Sequence, residues 1–190
     1  MIAVTLGTGV GGGIIVDDRL INGASGSGGE IGHIIVTPNE GHTCNCGRQG
    51  CIETYASATG IARQAMEAIH NNEETTLKDI FERNGEITSK DVFEEGKKGD
   101  KVSNQIIHNT MNLLGLMLGN LSTVINPEIM VVSGGVSKAK EQLLVPLQKA
   151  YNQYCLDHAL KISEIKLAQL GNDAGVIGAA YLVKQLIKNM

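Results

Sequence analysis

The sequence predicts an α/β domain on a mixed sheet that is antiparallel at one side and parallel at the other. In the first third of the chain, short apolar runs are separated by glycines, as in a meander of strands. From residue 54 onward, helical periodicity alternates with buried strand-like runs, which is typical of parallel βαβ units. The length of 190 residues fits one ordinary domain.

The composition excludes several functional classes. Hydrophobic residues make up 42% of the chain and charged residues 19%, which indicates a folded protein with a core. The formal net charge is -4 without a long basic run, so we expect neither nucleic acid nor an anionic membrane as a partner of this segment. Aromatic residues are only 3%, so we expect a bound sugar or base to be held by hydrogen bonds.

The cellular location is inferred from the first residues, the apolar runs and the cysteines. The first residues, MIAVTLGTGV, lack the charged segment of a signal peptide. The most apolar helical run, MNLLGLMLGNLSTVINP, is interrupted by Asn112, Asn120 and Asn126, which favours a buried helix over a membrane span. Three of the four cysteines are closely spaced, as in metal sites, so we expect a reducing cytoplasm.

Three short apolar runs near the N-terminus predict strands. They are IAVTL at residues 2–6, GIIV at 13–16 and HIIV at 33–36. The two aspartates at 17–18 predict a tight hairpin turn after the second run.

Helical patterns dominate the middle of the chain. Residues 54–70 and 76–83 are predicted helices, and TSKD at 88–91 has the form of a capping box before another helix. Residues 100–125 predict one long apolar helix. Gly115 and Gly119 lie four residues apart on one face of it, which predicts close packing against a neighbouring element.

The last third predicts two buried strands and two helices. EIMVVSGG at 128–135 is a strand that ends in a glycine pair, and Pro146 fits the first turn of the helix that follows. EIKLAQL at 164–170 is the last strand. Asn172 or Asp173 is predicted to cap a C-terminal helix that extends to about residue 188.

The run LGTGVGGG at residues 6–13 is the first candidate ligand loop. A dinucleotide fingerprint or a P-loop would continue into a helix, and a P-loop would also contain a lysine. The sequence continues instead as a strand and hairpin, GIIVDDRLING. Two interpretations stay open: a nest of backbone N–H groups that binds phosphate, or an ordinary glycine-rich hairpin.

The run VVSGGVS is the second candidate loop. Gly134 and Gly135 stand where a strand ends and a helix can start, a position that attracts phosphates and polar ligands in α/β sheets. A simple strand-to-helix turn is the alternative. Two such loops in one small α/β domain favour nucleotide binding.

One histidine and three cysteines form a candidate metal site. Zn²⁺ favours four thiolate or imidazole ligands in a tetrahedron, and a closed set of four protein ligands indicates a structural ion. The spacing Cys-x-Cys-x4-Cys is typical of metal binding, and His42 is a rival to the histidine of the set. The predicted ligands are His33, Cys44, Cys46 and Cys51.

Two acids flank this cluster. Glu30 and Glu53 are either solvated loop residues or acceptors for the hydroxyls of a polyol, because hydrogen bonds to a carboxylate are strong. If one ring nitrogen of His33 binds zinc, its other nitrogen is fixed as an N–H donor beside them.

These residues together resemble a known family. VTLGTGVGGGIIVDDRLINGASGSGGEIGH followed by CNCGRQGCIE resembles the ROK family of sugar kinases and sugar-responsive repressors. VVSGGVS and GNDAGVIGAA match later segments of the family, so the resemblance covers the whole chain. CIETYASATGI is most similar to the bacterial ATP-dependent glucokinases of the family.

The resemblance implies a fold and a set of ligands. The fold is an actin-like, ribonuclease-H-like ATPase domain, a mixed sheet with helices on both faces and a small zinc-binding insertion at residues 30–53. The His33 and cysteine set holds a structural Zn²⁺. Glu30, His33 and Glu53 contact sugar hydroxyls.

The resemblance also implies a nucleotide site for ATP with Mg²⁺. The phosphates lie at Gly7, Thr8 and Gly9. The rest of the nucleotide lies near Gly134 and Gly135.

One part of the family pattern has no counterpart here. Full-length members have a first domain with an Asp-Gly-Gly phosphate motif, and an Asn-Asp pair whose Asp is the catalytic base stands just before the segment present here. The catalytic aspartate is therefore expected upstream of Met1, with no catalytic residue among the 190.

The domain organisation follows from the same comparison. We expect residues 1–190 to be the second domain of a two-domain sugar kinase, with the first domain absent. The isolated chain is then expected to have little or no kinase activity, because phosphoryl transfer needs a group that receives the hydroxyl proton.

Alternatives remain open at this point. The same segments occur in the effector domain of sugar-responsive repressors and in kinases for N-acetylmannosamine or fructose. Because family members commonly form dimers or tetramers, we expect a homo-oligomer, most simply a dimer.

Overall fold

A computed structural model describes residues 1–171 and 173–188, which contain one five-stranded sheet with the strand order β3-β2-β1-β4-β5. β2 is antiparallel to its neighbours β1 and β3, whereas β1, β4 and β5 are parallel. The predicted mixed sheet is therefore confirmed. The strands are β1 (Ile2–Leu6), β2 (Val10–Val16), β3 (Arg19–Leu20), β4 (Ile129–Ser133) and β5 (Glu164–Leu167).

Eight α-helices accompany the sheet in the described residues. They are α1 (Glu53–Ala56), α2 (Ala58–His70), α3 (Leu77–Asn84), α4 (Ser89–Lys98), α5 (Lys101–Ile125), α6 (Glu141–Tyr154), α7 (Asp157–Leu160) and α8 (Asp173–Lys188). Short 3-10 segments occur at Ile31–His33 and Gly135–Ala139. Within 1–171 and 173–188, no helix combines the length and apolar character that crossing a bilayer requires.

The core lies on one face of the sheet. The alternate residues Ile2, Val4 and Leu6 of β1 are fully buried, as are Met130 and Val132 of the adjacent β4. Because side chains alternate across a strand, these residues share one face, where they belong to the same apolar cluster as the buried residues of α5 and α6.

The hairpin prediction is confirmed, but the third predicted strand is wrong. Asp17 and Asp18 both have positive φ, as a tight two-residue turn between β2 and β3 requires. HIIV at 33–36 forms no strand beyond an isolated bridge between Ile35 and Cys51. Its first residue instead ends the 3-10 turn Ile31–His33, and the close approach of Gly32 to the Val10 carbonyl places that turn against β2.

The predicted helix 54–70 is two helices. Ser57 has an extended backbone, with ψ of 160°, and separates α1 from α2. Its hydroxyl donates to the carbonyl of Glu53 and accepts from the N–H of Gly60, so one side chain ends α1 and caps α2.

The other helix predictions hold within one or two residues. The capping box is present, because the Thr88 hydroxyl accepts from the Asp91 N–H and the Asp91 carboxylate accepts from the Thr88 N–H. The predicted helices 76–83 and 100–125 correspond to α3 and α5.

Three predictions in the last third of the chain need correction or cannot be fully compared. Pro146 is the sixth residue of α6, not a first-turn residue, because the turn at Lys140 lets the helix begin at Glu141. The last strand ends at Leu167, three residues earlier than predicted. Asp173 is the first residue of α8, and Asn172 lies outside the described residues.

The predicted close packing at the two glycines of α5 is confirmed, with α6 as the neighbour. A Cβ atom on Gly115 would lie 2.5 Å from the Cβ of Ala150 and 2.8 Å from the N of Tyr151. One on Gly119 would lie 2.9 Å from the Cβ of Tyr154. The two helix axes approach closely only because both positions lack a side chain.

We expect Gly115→Ala to lower the free energy of unfolding by about 1–2 kcal/mol. Overpacking against the α6 backbone costs more than the roughly 1 kcal/mol that alanine gains in helix propensity. Urea unfolding followed by circular dichroism measures the change. Gly178→Ala in α8 is the matched control, because in the described part of the chain no atom outside its own stretch of helix lies within 4 Å of its Cβ position, so stability should not fall. Equal effects of both substitutions would contradict the packing account.

Candidate functional site

The two predicted glycine loops lie side by side. β1 and β4 are parallel neighbours, so their carboxyl ends reach the same edge of the sheet. Gly7 follows the end of β1, and Gly134 follows the end of β4. A Cβ atom on Gly134 would overlap the carbonyl oxygen of Leu6, so only glycine permits this approach. Ligands of open α/β sheets bind at such an edge.

The catalytic aspartate is expected upstream of Met1. Met1 itself does not lie at this edge of the sheet. Its nitrogen donates to the carbonyl of Ile15 over 2.9 Å, so it lies at the amino end of β1, beside β2. The glycine loops follow the opposite, carboxyl ends of β1 and β4. Met1 thus lies beside the β1–β2 pair and is not a site residue. The aspartate expected before it stays a prediction.

The first loop is shorter than the sequence indicates, since Gly11, Gly12 and Gly13 belong to β2 and pair with β1. The loop proper is Gly7 to Gly9. Two carbonyl groups of the loop accept hydrogen bonds from the N-terminus of α2. The Ala58 N–H donates to the Gly7 oxygen over 2.7 Å, and the Thr59 hydroxyl donates to the Thr8 oxygen over 3.1 Å.

Two of the three backbone N–H groups of this loop are available for a ligand, whereas the N–H of Gly7 donates to the Gly9 carbonyl over 2.9 Å. In the described part of the chain, no protein acceptor pairs with the N–H groups of Thr8 and Gly9. Neighbouring backbone donors of this kind make an anion-binding nest. The loop could therefore hold phosphate oxygens.

An open cavity of about 630 Å³ adjoins the second loop. Gly135 lies on one wall, in the 3-10 segment after β4, and Phe93 of α4 lies on another. Two acids, Glu94 and Glu141, and four lysines line the cavity, and Lys90 pairs with Glu94 over 3.4 Å, so its rim has a small excess of positive charge. The lysines are Lys90, Lys97, Lys138 and Lys140. This arrangement suits a ligand with an apolar ring and negative charges.

Sequence reasoning missed this lysine-lined cavity. α4 and the segment after β4 are far apart in the chain, so only the fold brings them together. The repeat of Lys90 and Lys97 at seven residues, one face of a helix, is the one signal that the sequence offered. A larger groove of about 800 Å³ lies between α5 and α6 and contains none of the predicted site residues.

The predicted metal ligands converge. One ligand atom from each of His33, Cys44, Cys46 and Cys51 lies within 4.8 Å of all the others. His33 Nδ1 is 3.5 Å from Cys44 Sγ, and Cys46 Sγ is 3.7 Å from Cys51 Sγ. A tetrahedral zinc with sulfur and nitrogen ligands sets neighbouring ligand atoms about 3.5–3.8 Å apart. Donor chemistry and spacing therefore both suit Zn²⁺, and the cluster could hold it.

The rival histidine lies elsewhere. His42 Nε2 is 3.4 Å from the Glu67 carboxylate of α2, and its ring meets Tyr55 edge-on. Glu67 also accepts a hydrogen bond from Arg63. The fold therefore brings the ring of His33 to the cysteines and the ring of His42 to Glu67 on α2.

The three thiols have different electrostatic environments. The pKa of Cys46 is lowered to about 6, because the side chain and the backbone N–H of Arg48 donate hydrogen bonds to its sulfur. Burial raises the pKa of Cys51 to about 12. Cys46 is exposed, whereas Cys44 and Cys51 are buried, so Cys46 is the solvent-facing corner of the cluster.

Glu53 joins this cluster to the first glycine loop. Its Oε2 accepts a hydrogen bond of 2.9 Å from the N–H of Val10, and its Oε1 lies 3.8 Å from Cys44 Sγ. A Cβ atom on Gly9 would overlap the carboxylate, so the loop needs glycine there. Sequence reasoning placed Glu53 near the cysteines but did not predict its contact with the loop.

Glu30 and His33 complete the row of polar groups. With Nδ1 turned toward Cys44, the Nε2 atom of His33 faces Glu30 and lies 3.9 Å from its carboxylate. Glu30 is mostly exposed, and His33 is about one quarter exposed. A surface ligand can therefore reach the outer nitrogen of His33 and the two acids on either side of it.

The 3-10 turn at Ile31–His33 orients this histidine. A Cβ atom on Gly32 would overlap the carbonyl oxygen of Val10, and one on Gly12 would strike Ile31. The turn therefore lies directly on β2, and two glycines make the approach possible. Contacts thus connect Glu30, His33, Cys44 and Glu53 in series to Val10, at the end of the first glycine loop.

Comparison with known proteins gives a consistent result. The ROK family model matches residues 1–186. A glucokinase of Halalkalibacterium halodurans is 44% identical over 190 residues, which are 100% of this chain and 58% of that protein. The chain thus spans less than three fifths of that relative.

Solved structures agree with this match. A ROK family glucokinase from Streptomyces griseus, in complex with glucose and AMPPNP, has a TM-score of 0.82 and 33% identity over 97% of this chain and 60% of that one. A ROK family transcriptional regulator, a homolog of the E. coli MLC protein, has a TM-score of 0.75 and 26% identity over 87% of this chain and 41% of that one.

We expect iodoacetamide to label Cys46 in the chelator-stripped chain with a midpoint near pH 6. Below that pH the thiol is protonated and its reaction slows, because the thiolate is the nucleophile. Cys51 should remain unlabelled up to about pH 8, because its pKa is raised to about 12. Peptide mass spectrometry across a pH series reads both sites. In urea the difference between the labelling midpoints of Cys46 and Cys51 should vanish. A midpoint of about pH 8–9 for Cys46 in the native chain, the ordinary range of a thiol, would contradict the role of Arg48.

Zinc content distinguishes the two histidines. His33→Ala should lower bound zinc from one equivalent to a small fraction after dialysis, because three ligands remain in a site built for four. His42→Ala should keep one equivalent. Metal analysis of both purified variants measures this. A full complement of zinc in His33→Ala would contradict the assignment of His33.

Proposed function

The chain belongs to the ROK family and has the actin-like ATPase fold of the ROK sugar kinases, and on this premise we propose that it is a domain of an ATP-dependent hexose kinase of the glucokinase type. The whole enzyme would transfer the γ-phosphate of ATP to the 6-hydroxyl of glucose. Because the chain spans 58% of its glucokinase relative, the reaction is assigned to the whole protein and binding to this chain.

The observation that carries this proposal is the contact between Glu53 and Val10. It fixes the zinc segment, with its row of acids, directly beside the first glycine loop. A hexose kinase needs its sugar hydroxyl and the terminal phosphate in line and within bonding reach. A site for polar hydroxyls beside a phosphate nest has that layout.

The sugar is assigned to Glu30, His33 and Glu53. The two carboxylates accept hydrogen bonds from ring hydroxyls, and the outer ring nitrogen of His33 donates one. His33 Nδ1 faces the cysteines, which leaves Nε2 for this role. Few aromatic residues are needed because the ligand is held by charge-assisted hydrogen bonds.

The nucleotide is assigned to the two loops. The N–H groups of Thr8 and Gly9 would hold the phosphates, and Gly7, whose own N–H donates to the Gly9 carbonyl, would shape the loop around them. Gly134 and Gly135 would lie under the ribose, and the cavity beside Phe93 would receive the base. The lysines around that cavity lower the cost of bringing several phosphate charges to the surface. Mg²⁺ would enter with ATP.

The zinc ion is assigned a structural role. Four protein ligands leave no open coordination position for a substrate, so the ion would supply cross-linking alone. It would hold Cys44, Cys46 and Cys51 in place and fix the orientation of the His33 ring. The rigid segment then presents Glu53 and the outer nitrogen of His33 to the sugar.

The proton acceptor of the reaction is assigned to an aspartate upstream of Met1, outside these 190 residues. Asp17 and Asp18 lie in the hairpin turn, and Asp173 begins α8, so none of them lies among the residues assigned to the sugar.

We also place the protein in the cytoplasm as a homodimer, with the three zinc thiols kept reduced.

The effector domain of a sugar-responsive repressor is the second candidate. The TM-score of 0.75 with a ROK transcriptional regulator favours it. The glycine-loop N–H groups and the lysine-lined cavity favour the kinase, because a sugar sensor has no need of them. Binding of an ATP analogue by the chain separates the two functions.

Glucose should bind the zinc-loaded chain, and Glu53→Gln should weaken it about tenfold to a hundredfold. The amide keeps the shape but loses the charge, and charge-assisted hydrogen bonds contribute about 1.5–3 kcal/mol. Calorimetry with glucose, N-acetylmannosamine and fructose measures affinity and the choice of sugar. Glu164→Gln, which removes a carboxylate from an exposed ion pair on β5, is the control and should bind as the wild type does.

The purified chain should phosphorylate glucose at no more than a trace of the rate of a full-length ROK glucokinase. Without a group to accept the hydroxyl proton, general-base assistance of about 10²–10⁴-fold is lost, together with half of the cleft. A coupled assay for glucose 6-phosphate measures this. Robust turnover by the chain alone would mean that its own residues supply the base.

A further inference from the structure

The helix that carries Glu53 is too short to be stable alone. α1 has four residues, one turn, and Glu53 is its first. One turn of helix costs more in backbone entropy than its hydrogen bonds return, so its position must be fixed by other residues. The placement of the Glu53 carboxylate therefore depends on whatever holds α1.

Side chains of the α1–α2 junction take up the free carbonyl groups of α1. The Ser57 hydroxyl donates to the Glu53 oxygen over 2.7 Å, and Gln64 Nε2 donates to the Tyr55 oxygen over 3.1 Å. The guanidinium of Arg63 donates to the Thr54 oxygen. Each of these three carbonyls thus has its own donor.

Arg63 and Glu67 also reach the zinc segment. The second nitrogen of Arg63 donates to Glu67 Oε1 over 2.6 Å, and Glu67 Oε2 lies 3.4 Å from His42 Nε2. His42 stands two residues before Cys44 in the chain. The Glu67 carboxylate therefore joins α1, through Arg63, to the loop that carries the cysteines.

We propose that Arg63 and Glu67 are positioning residues that hold α1 against the zinc segment and so set the Glu53 carboxylate between Cys44 and the Val10 N–H. Within the described chain, their side-chain hydrogen bonds and ion pairs reach none of the residues assigned to sugar or phosphate. Their effect on sugar binding rests on the proposed function, whereas their effect on α1 does not. Sequence analysis assigned these two residues no role, and His42 was a rival zinc ligand.

The exposure of the pair separates this role from a general contribution to stability. The Arg63 and Glu67 side chains are 29% and 42% exposed, and exposed ion pairs of this kind add little to global stability. Their removal should therefore loosen α1 locally without unfolding the chain. Local hydrogen exchange detects such a change directly.

Amide hydrogen exchange by NMR on the zinc-loaded full chain tests the proposal. The Tyr55 and Ala56 amides donate within α1 to the Ile52 carbonyl. In Glu67→Ala and in Arg63→Met, both amides should exchange at least about tenfold faster, while amides of α5 keep their rates. Glu164→Ala, which removes an exposed carboxylate on β5, should change neither set. Unchanged exchange at Tyr55 and Ala56 overturns the proposal, as does an equal increase throughout the chain.

Glucose affinity and zinc content give a second readout. Glu67→Ala should raise the glucose Kd about fivefold to tenfold while one zinc per chain is retained, and Glu67→Gln should restore part of the affinity. A Kd that rises only in proportion to lost zinc overturns the positioning role. If the wild type and Glu164→Ala both fail to bind glucose, the proposed function fails, and the exchange rates still decide the role of Arg63 and Glu67.

Discussion

The candidate site depends on the position of one carboxylate, that of Glu53. Its two oxygens contact different parts of the protein, the Val10 N–H at the end of the first glycine loop and the sulfur of Cys44. Gly9 leaves room for it, and α1 carries it at its first residue. The Val10 N–H compensates part of the desolvation of this carboxylate, and the zinc segment carries the residue, so the loop and the zinc segment constrain each other.

The segment between β3 and α1 shows why a metal is useful here. All of its residues are described, and among them no strand is longer than an isolated bridge and the one helical turn is the 3-10 turn at Ile31–His33. A loop of this length cannot bury enough apolar surface to fix four side chains. A zinc cross-link would supply that order, since binding energy to a structural ion becomes folding energy. The helix α2 adds a second anchor through Glu67 and His42.

Much of the fold was predictable, because its signals are local. The capping box at Thr88, the hairpin at Asp17 and Asp18, and the metal-ligand spacing of the cysteines each depend on neighbouring residues. Neighbouring residues do not decide between His33 and His42 as the zinc ligand, because contacts with β2 and α2 determine where each ring lies. The lysine-lined cavity could not be predicted from the sequence for the same reason. HIIV failed as a strand because its first residue belongs to the 3-10 turn that packs against β2, a tertiary contact that periodicity does not contain.

The most direct test of this account is the glucose affinity of the zinc-loaded chain compared with that of the chain stripped by a chelator. If the metal cluster sets the Glu53 carboxylate and the His33 ring, calorimetry should show glucose bound at least about tenfold more weakly without zinc. By linkage, glucose should then slow the loss of zinc to a chelator. Equal glucose dissociation constants with and without zinc would contradict the claim that the cluster organises the sugar site.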